Sequence, residues 1–233
     1  MLRPFLGRTI AAVPGVFAIS LAIAVLIPVA SAFGQAPTFE TLAAPGPLSE
    51  QALGRADAPV TLFEYGNFTC RTCVDFNAKV LPALKSRYVD GGRLRFVFRE
   101  IVWLKDPGGN LNAAAFMLAR CAGDARYFPV LDALNQQVDK WLYGEPIPGL
   151  TAIASQFGMT RDQLNTCLSD QKLLADVVWH GDRLNTFHLS YIPAFFVADS
   201  RSRKVTVLMQ GAGQAELLDL AGWERALKPW VGP

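Results

Sequence analysis

The sequence has few histidines and cysteines and no excess of basic charge. Its 233 residues include 2 histidines and 4 cysteines. The formal net charge is +2, which Arg3 and Arg8 account for, so the rest of the chain is balanced. Nucleic-acid binding needs a basic patch or stripe, so we expect no nucleic-acid partner. Hydrophobic residues make up 51% of the chain, a content that excludes a disordered protein and favours a globular one.

Charge is also missing from a long stretch near the N-terminus. Residues Thr9 to Phe39 include no Asp, Glu, Lys or Arg, and Val16 to Val29 is an almost unbroken apolar run. The run follows two arginines and precedes Ala30-Ser31-Ala32, a pattern typical of a cleaved signal peptide over residues 1–32. We therefore expect a periplasmic or secreted protein. An uncleaved membrane anchor is the alternative, because weaker apolar residues extend the run toward the length of a membrane span.

Export changes the meaning of the cysteines, because disulfides persist outside the cytosol. The chain contains one close pair, Cys70 and Cys73, in the sequence Cys-Arg-Thr-Cys. A short β-branched and aromatic run, Val60 to Tyr65, predicts a buried strand before the pair. Apolar residues at helical spacing follow the pair, with Pro82 as an expected kink, and Arg93 to Val102 predicts a second strand. This order is the βαβ start of an α/β sheet.

The remainder of the chain divides into a helical middle and a second strand region. Residues 107–188 contain several helical stretches and no convincing strand pattern. Pro193 to Val197 and Lys204 to Met209 predict a β-hairpin, and Gln214 to Leu227 predicts a last helix. We expect a leader over residues 33–58 with a short edge strand near Ser49 to Leu53. The α/β domain then spans residues 59–106 and 189–230, with residues 107–188 as a helical insertion. The predicted helices of the insertion are Asn112 to Cys121, Tyr127 to Leu142, Leu150 to Phe157, Arg161 to Leu168 and Lys172 to Phe187.

The cysteine pair has the spacing of a redox-active site. A cysteine at a helix N-terminus faces unpaired backbone N–H groups and the positive end of the helix dipole, which lowers the pKa of its thiol. We therefore expect Cys70 to attack and Cys73, one turn further along, to resolve the mixed disulfide. A zinc site would need four ligands, whereas Cys121, Cys167 and the histidines are isolated in sequence. We predict no metal and no other cofactor.

The segment Val60 to Cys73, VTLFEYGNFTCRTC, resembles the active-site strand of the DsbA family of periplasmic dithiol oxidases. The resemblance implies a thioredoxin-like fold, a central mixed sheet flanked by helices, with an inserted all-helical domain. It also implies that Glu64, six residues before Cys70, is a buried carboxyl that relays protons to and from Cys73. A solvated charge at the edge of a strand is the alternative for Glu64.

A second segment, Tyr191 to Val197, resembles the place where thioredoxin-fold proteins put a cis-proline beside the cysteine pair. The resemblance implies a cis Ile192–Pro193 bond and an exposed Ile192 backbone that binds an extended substrate segment as an added strand. A proline that merely opens a strand is the alternative.

The dipeptide Arg71-Thr72 departs from the family, whose well-known oxidases carry a histidine next to the resolving cysteine. Arg71 could favour a Cys70 thiolate by charge and Thr72 could donate a hydrogen bond, so both are candidates for tuning the redox potential. The remaining cysteines, Cys121 and Cys167, are expected to form a structural disulfide in the helical domain, as in some DsbA-like proteins. A redox relay is the alternative for that pair.

Together these features predict an exported, monomeric thiol–disulfide oxidoreductase, most simply a dithiol oxidase. Its substrates would be reduced or misoxidised exported proteins, and an unidentified redox partner would reset the active-site pair. A disulfide isomerase or reductase of the same fold is one alternative. A non-catalytic metal-handling or binding module is the other.

Overall fold

The computed structural model describes residues 37–187, 189, 191–210 and 214–232, with the backbone only at 209, 210 and 214. The predicted signal peptide, residues 1–32, and His188 lie outside the described residues. None of the helices in the described part of the chain combines the length and the apolar character needed to cross a membrane.

The described strands form one five-stranded mixed sheet in the order β1-β3-β2-β4-β5. The parallel pair β2 and β3 aligns Val60 with Leu94 and Gly66 with Glu100, and the other neighbouring strands are antiparallel. The short edge strand β1, predicted near Ser49 to Leu53, pairs with β3. The strands are β1 Gln51–Leu53, β2 Val60–Gly66, β3 Leu94–Glu100, β4 Ala194–Asp199 and β5 Val205–Gln210.

The helical region after β2 is broken rather than kinked. Helix α2, Arg71–Lys79, ends before Pro82, and α3, Leu81–Leu84, starts anew with this proline in its first turn. Proline lacks the N–H that would continue α2 and is tolerated in a first helical turn, so the chain restarts there. A π-helical turn, Lys85–Val89, then leads toward β3.

Six described helices lie between β3 and β4: α4 Gly109–Cys121, α5 Asp124–Gln136, α6 Val138–Trp141, α7 Pro146–Gln156, α8 Arg161–Leu168 and α9 Gln171–Thr186. The single helix predicted over residues 127–142 is divided at Gln137 into α5 and α6. Helix α8 begins after Thr160, which forms a capping box with Gln163. These helices and the sheet contribute residues to one hydrophobic cluster, so packing does not mark where a separate helical domain would begin or end. The boundaries 107–188 therefore stay a prediction.

The sheet is covered on both faces. One face carries Leu62 and Phe96 and packs in the larger cluster with α2 and the inserted helices. The other face carries Phe63 and Tyr65 in a second cluster, to which α1, Phe39–Ala43, contributes Leu42. The predicted last helix is two helices, α10 Gln214–Leu217 and α11 Leu220–Val231, separated by the N-cap residue Asp219.

Candidate active site

Cys70 and Cys73 are joined by a disulfide at the N-terminus of α2. Cys70 is the N-cap residue, and its Sγ accepts a hydrogen bond from the backbone N–H of Cys73 at 3.2 Å. Cys70 is half-buried, whereas Cys73 is 2% exposed. The outer sulfur therefore sits where the helix dipole stabilises a thiolate, and the inner sulfur is shielded from solvent.

A network of three polar side chains holds the turn before Cys70. The buried Asn67 accepts hydrogen bonds at its Oδ1 from the Cys70 N–H and from the Thr69 hydroxyl, each at 3.0 Å. Asn112 of α4 donates to the Thr69 hydroxyl at 3.1 Å and accepts from the Phe68 N–H at 3.0 Å. The position of Cys70 is therefore fixed from both β2 and the inserted helices.

Cys70 opens onto a cleft of about 320 Å³ that also has Arg71, Thr72 and Ile192 in its lining. The Ile192–Pro193 peptide bond is cis. Because the antiparallel register of β2 and β4 aligns Tyr65 with Ala194, this proline lies at the end of β2 from which the chain turns toward Cys70. The cleft is completed by Asn67, Thr69, Trp103, Asp106 and Asn112.

Arg71 lies on the rim of the cleft, with 56% of its side chain exposed. It forms one ion pair with Asp75 of α2 at 3.6 Å and another with Asp139 of α6 at 3.5 Å. Exposed ion pairs of this kind contribute little to stability. The positive charge is nevertheless next in sequence to Cys70, in a position to favour a thiolate there.

Glu64 lies beneath the cysteine pair and is fully buried. This burial excludes the alternative of a solvated charge at a strand edge. The Asn77 side-chain amide donates a hydrogen bond to Glu64 Oε1 at 2.9 Å, and within the described residues Glu64 Oε2 has no hydrogen-bond partner. Burial raises the pKa of Glu64 well above its usual value, although the hydrogen bond from Asn77 acts in the opposite direction. The folded protein therefore favours the protonated form of Glu64 more than the unfolded chain does.

The second disulfide, Cys121–Cys167, connects α4 to α8. Its cysteines line a separate groove, together with Arg126, Phe157 and Met159, rather than the cleft at Cys70. The predicted site residues that the structure brings together are Glu64, Cys70, Arg71, Thr72, Cys73, Ile192 and Pro193. The Cys121–Cys167 disulfide lies apart from them. In the described part of the chain, no three His, Cys, Asp or Glu side chains are grouped as a metal site.

Several residues at the site were not predicted from the sequence. Asn77 was missed although it follows Cys73 by four residues, a spacing that puts both side chains on one helix face. A polar residue on the otherwise apolar face of α2 was the available signal. Asn112 and Trp103 gave no signal, because only the folded chain brings them to the cleft.

A strand that leads into a disulfide at a helix N-terminus, with a cis-proline at the start of the neighbouring strand, defines a thioredoxin-type redox site. A thioredoxin family model matches residues 48–209. The match covers more than half of the chain, and the chain belongs to this family.

Two curated relatives carry names that concern disulfides. A protein of Rickettsia bellii named "Putative protein-disulfide oxidoreductase" is 30% identical over 149 residues, which are 63% of this chain and 54% of that protein. "Disulfide bond formation protein D" of Bacillus subtilis is 33% identical over 66 residues, 28% of this chain and 29% of that protein. The chain thus spans about half the length of the rickettsial relative.

Solved structures show the same fold. Alpha-DsbA1 of Wolbachia pipientis superposes with a TM-score of 0.69 at 24% identity, over 84% of this chain and 96% of that one. Oxidised BdbD of Bacillus subtilis superposes with a TM-score of 0.63 at 19% identity, over 79% of this chain and 94% of that one. These likenesses cover most of the chain.

Proposed function

We propose that this protein is an exported dithiol oxidase that introduces disulfides into folding proteins through Cys70 and Cys73. The observation that carries the proposal is the unequal burial of the two linked sulfurs: Cys70 lines an open cleft, whereas Cys73 is 2% exposed. An incoming thiolate can reach the sulfur of Cys70 and leaves Cys73 as the departing group. The disulfide-related names of the relatives support the same activity.

The reaction follows from this asymmetry. A substrate thiolate attacks Cys70 Sγ, a bond forms between the two sulfurs, and the Cys70–Cys73 bond breaks with its electron pair on Cys73. Glu64, whose burial favours the protonated form, donates its proton to the Cys73 thiolate. A second substrate thiolate then attacks the substrate sulfur of the mixed disulfide, and Cys70 leaves as a thiolate. The substrate loses two electrons, which the cysteine pair gains.

The cleft suits a polypeptide substrate. The backbone before the cis-proline, at Ile192, shares the cleft with Cys70 and can pair with an extended segment as an added strand. The substrates would be reduced or misoxidised exported proteins in the periplasm or outside the cell. A redox partner would then restore the disulfide by the reverse exchange, and the protein would act as a monomer.

The deciding measurement is the reduction potential of the Cys70–Cys73 pair, taken together with the stability of the oxidised and reduced forms. An oxidase has a reduced form that is more stable than the oxidised form, because the fold stabilises the Cys70 thiolate. We expect this order of stability, together with oxidation of a peptide that has two free thiols. The Cys73→Ser variant has no active-site disulfide and should not oxidise this peptide. Its Cys70 thiolate should instead attack a peptide that already contains a disulfide, release one peptide thiolate and stop at the mixed disulfide, because no resolving thiol follows.

A matched control separates the two disulfides. The double variant Cys121→Ala and Cys167→Ala removes the other pair and should keep the peptide-oxidising activity. Greater stability of the oxidised form would overturn the oxidase proposal in favour of a reductase, an isomerase or a structural bridge. Stoichiometric copper or zinc uptake that is lost in Cys70→Ser would instead establish a metal-handling module.

A further inference from the structure

Gly66, at the end of β2, lies between the buried carboxyl and the inner sulfur. A Cβ atom placed on Gly66 would lie 3.1 Å from Glu64 Oε1 and 3.3 Å from Cys73 Sγ. Both atoms are therefore within van der Waals distance of one point, which no side chain occupies. The backbone of Gly66 does not have a positive φ, so the chain conformation itself does not require glycine there.

Asn77 ties the carboxyl to the Cys73 residue. Its amide nitrogen donates one hydrogen bond to Glu64 Oε1 and one to the backbone oxygen of Cys73, each at 2.9 Å. A carbonyl oxygen accepts hydrogen bonds and does not donate them, so the contact with Cys73 fixes which end of the Asn77 amide faces Glu64. Asn77 is itself 7% exposed, and its amide is held within α2.

The charged groups around Glu64 are engaged elsewhere. The buried Glu100, at the end of β3, is ion-paired with Arg120 and accepts a hydrogen bond from the Tyr127 hydroxyl of α5. From β4, the register partner of Glu64 is the apolar Phe195. On α2 the remaining charged residues, Arg71, Asp75 and Lys79, form ion pairs with one another at the surface. Cys73 is thus the titratable group that faces Glu64 across Gly66.

We propose that Gly66 and Asn77 are positioning residues for proton transfer between Glu64 and Cys73. Asn77 fixes the position of the Glu64 carboxyl relative to Cys73. Because Gly66 has no side chain, the space between the carboxyl and the Cys73 sulfur stays open. The inference rests on the proposed function, since it concerns the proton that Cys73 takes up when the disulfide is reduced. In that step the S–S bond breaks, Cys73 receives the electron pair, and the carboxyl proton moves to the sulfur.

The test is the rate of reduction of the oxidised full-length protein by dithiothreitol, measured from pH 5 to pH 9 and expressed per dithiothreitol thiolate. In the wild-type protein we expect a rate that rises as Glu64 becomes protonated. Gly66→Ala fills the gap with one methyl group and should lower the rate about tenfold, because small misplacements of a catalytic group are costly. Asn77→Leu should lower the rate similarly and shift the break in the pH profile.

Gly91→Ala is the matched control. Gly91 also lacks a positive φ, and a Cβ placed there meets nothing within 4 Å. The rate and the pH profile of this variant should be those of the wild-type protein.

A double-mutant cycle separates positioning from a general structural effect. If Gly66 acts through the carboxyl, Gly66→Ala should slow the wild-type protein but have little effect in the Glu64→Gln background. A wild-type rate in Gly66→Ala, or an equal slowing in both backgrounds, would overturn the inference. The assay with dithiothreitol does not depend on a protein substrate. If the wild-type protein failed to oxidise peptides, the oxidase proposal would be refuted, while the rates of reduction by dithiothreitol would still test the roles of Gly66 and Asn77.

Discussion

At the scale of single residues, the molecule buries a carboxyl on a strand without giving it a positive partner. Glu64 is fully buried, and the neutral amide of Asn77 supplies its hydrogen bond. An ionised carboxylate in such a place costs free energy, so the folded protein favours the protonated acid. The same burial leaves an acid, with its protonated form favoured, close to Cys73 Sγ.

This cost predicts a pH-dependent effect of Glu64→Gln on stability. The unfolded chain ionises near the ordinary pKa of 4.5, while the folded protein holds the proton to a higher pH. The stability of the wild-type protein should therefore fall as the pH rises from the unfolded pKa to the folded pKa, by about 1.4 kcal/mol per pH unit. Glu64→Gln has no such penalty, so its oxidised form should be more stable than wild type at pH 7 and equally stable below pH 4.

Urea unfolding of the oxidised proteins at these two pH values checks the prediction. Glu145→Gln is a suitable control, because the Glu145 side chain is exposed at the N-cap position of α7 and forms no capping hydrogen bond there. If wild-type protein and Glu64→Gln kept the same difference in stability at both pH values, a raised pKa of Glu64 would be ruled out.

At the scale of elements, α4 connects the inserted helices to the redox site. Near its first turn, Asn112 holds the turn before Cys70 through Phe68 and Thr69. Near its last turn, Arg120 forms an ion pair with the buried Glu100 of β3. Helix α4 is thus attached to the turn that follows β2 and to the end of β3. Its residue Asn112 also lines the cleft.

Removal of the Asn112 side chain should loosen this connection. In Asn112→Ala the buried N–H of Phe68 loses its partner, and an unsatisfied buried group costs about 1–3 kcal/mol. We expect a loss of stability of that size in urea unfolding, together with slower peptide oxidation, since Cys70 is no longer held in place. Asn165→Ala, on the exposed side of α8, should change the stability by less than about 0.5 kcal/mol. An Asn112→Ala protein as stable as this control would show that the hydrogen bonds do not hold the turn.

At the scale of the whole molecule, the sheet and the inserted helices share one hydrophobic cluster. The second disulfide closes a loop with a sequence separation of 46 residues within this body. Such a bridge stabilises the protein mainly by restricting the unfolded chain.

Replacement of Cys121 and Cys167 by alanine should therefore lower the free energy of unfolding by about 2–4 kcal/mol. The reduction potential of the Cys70–Cys73 pair should stay unchanged, because the second pair lines a different groove. Thermal unfolding and redox titration of the double variant check both statements. A shifted potential with unchanged stability would favour the redox-relay alternative over a structural role.

The sequence by itself determined the order of strand, cysteine pair and helix, because these features depend on local patterns. The apolar run before Cys70, the helical spacing after it and the β-hairpin near the C-terminus all appear in the structure close to their predicted positions. Breaks at Pro82 and Gln137 were less accurately predicted, since helix ends depend on a few backbone groups whose partners the pattern does not reveal.

The tertiary structure decided what surrounds the cysteine pair. A strand residue can face a core or solvent, and only the packing of α2 on the sheet made Glu64 a buried acid next to Cys73. Asn112 comes from another helix, and the role inferred for Gly66 rests on the distances from its Cβ position to Glu64 Oε1 and Cys73 Sγ. The contacts of Asn112 join residues far apart in sequence, for which local patterns contain no signal. Glu64, Gly66 and Cys73 are close in sequence, but their distances depend on how α2 packs against β2.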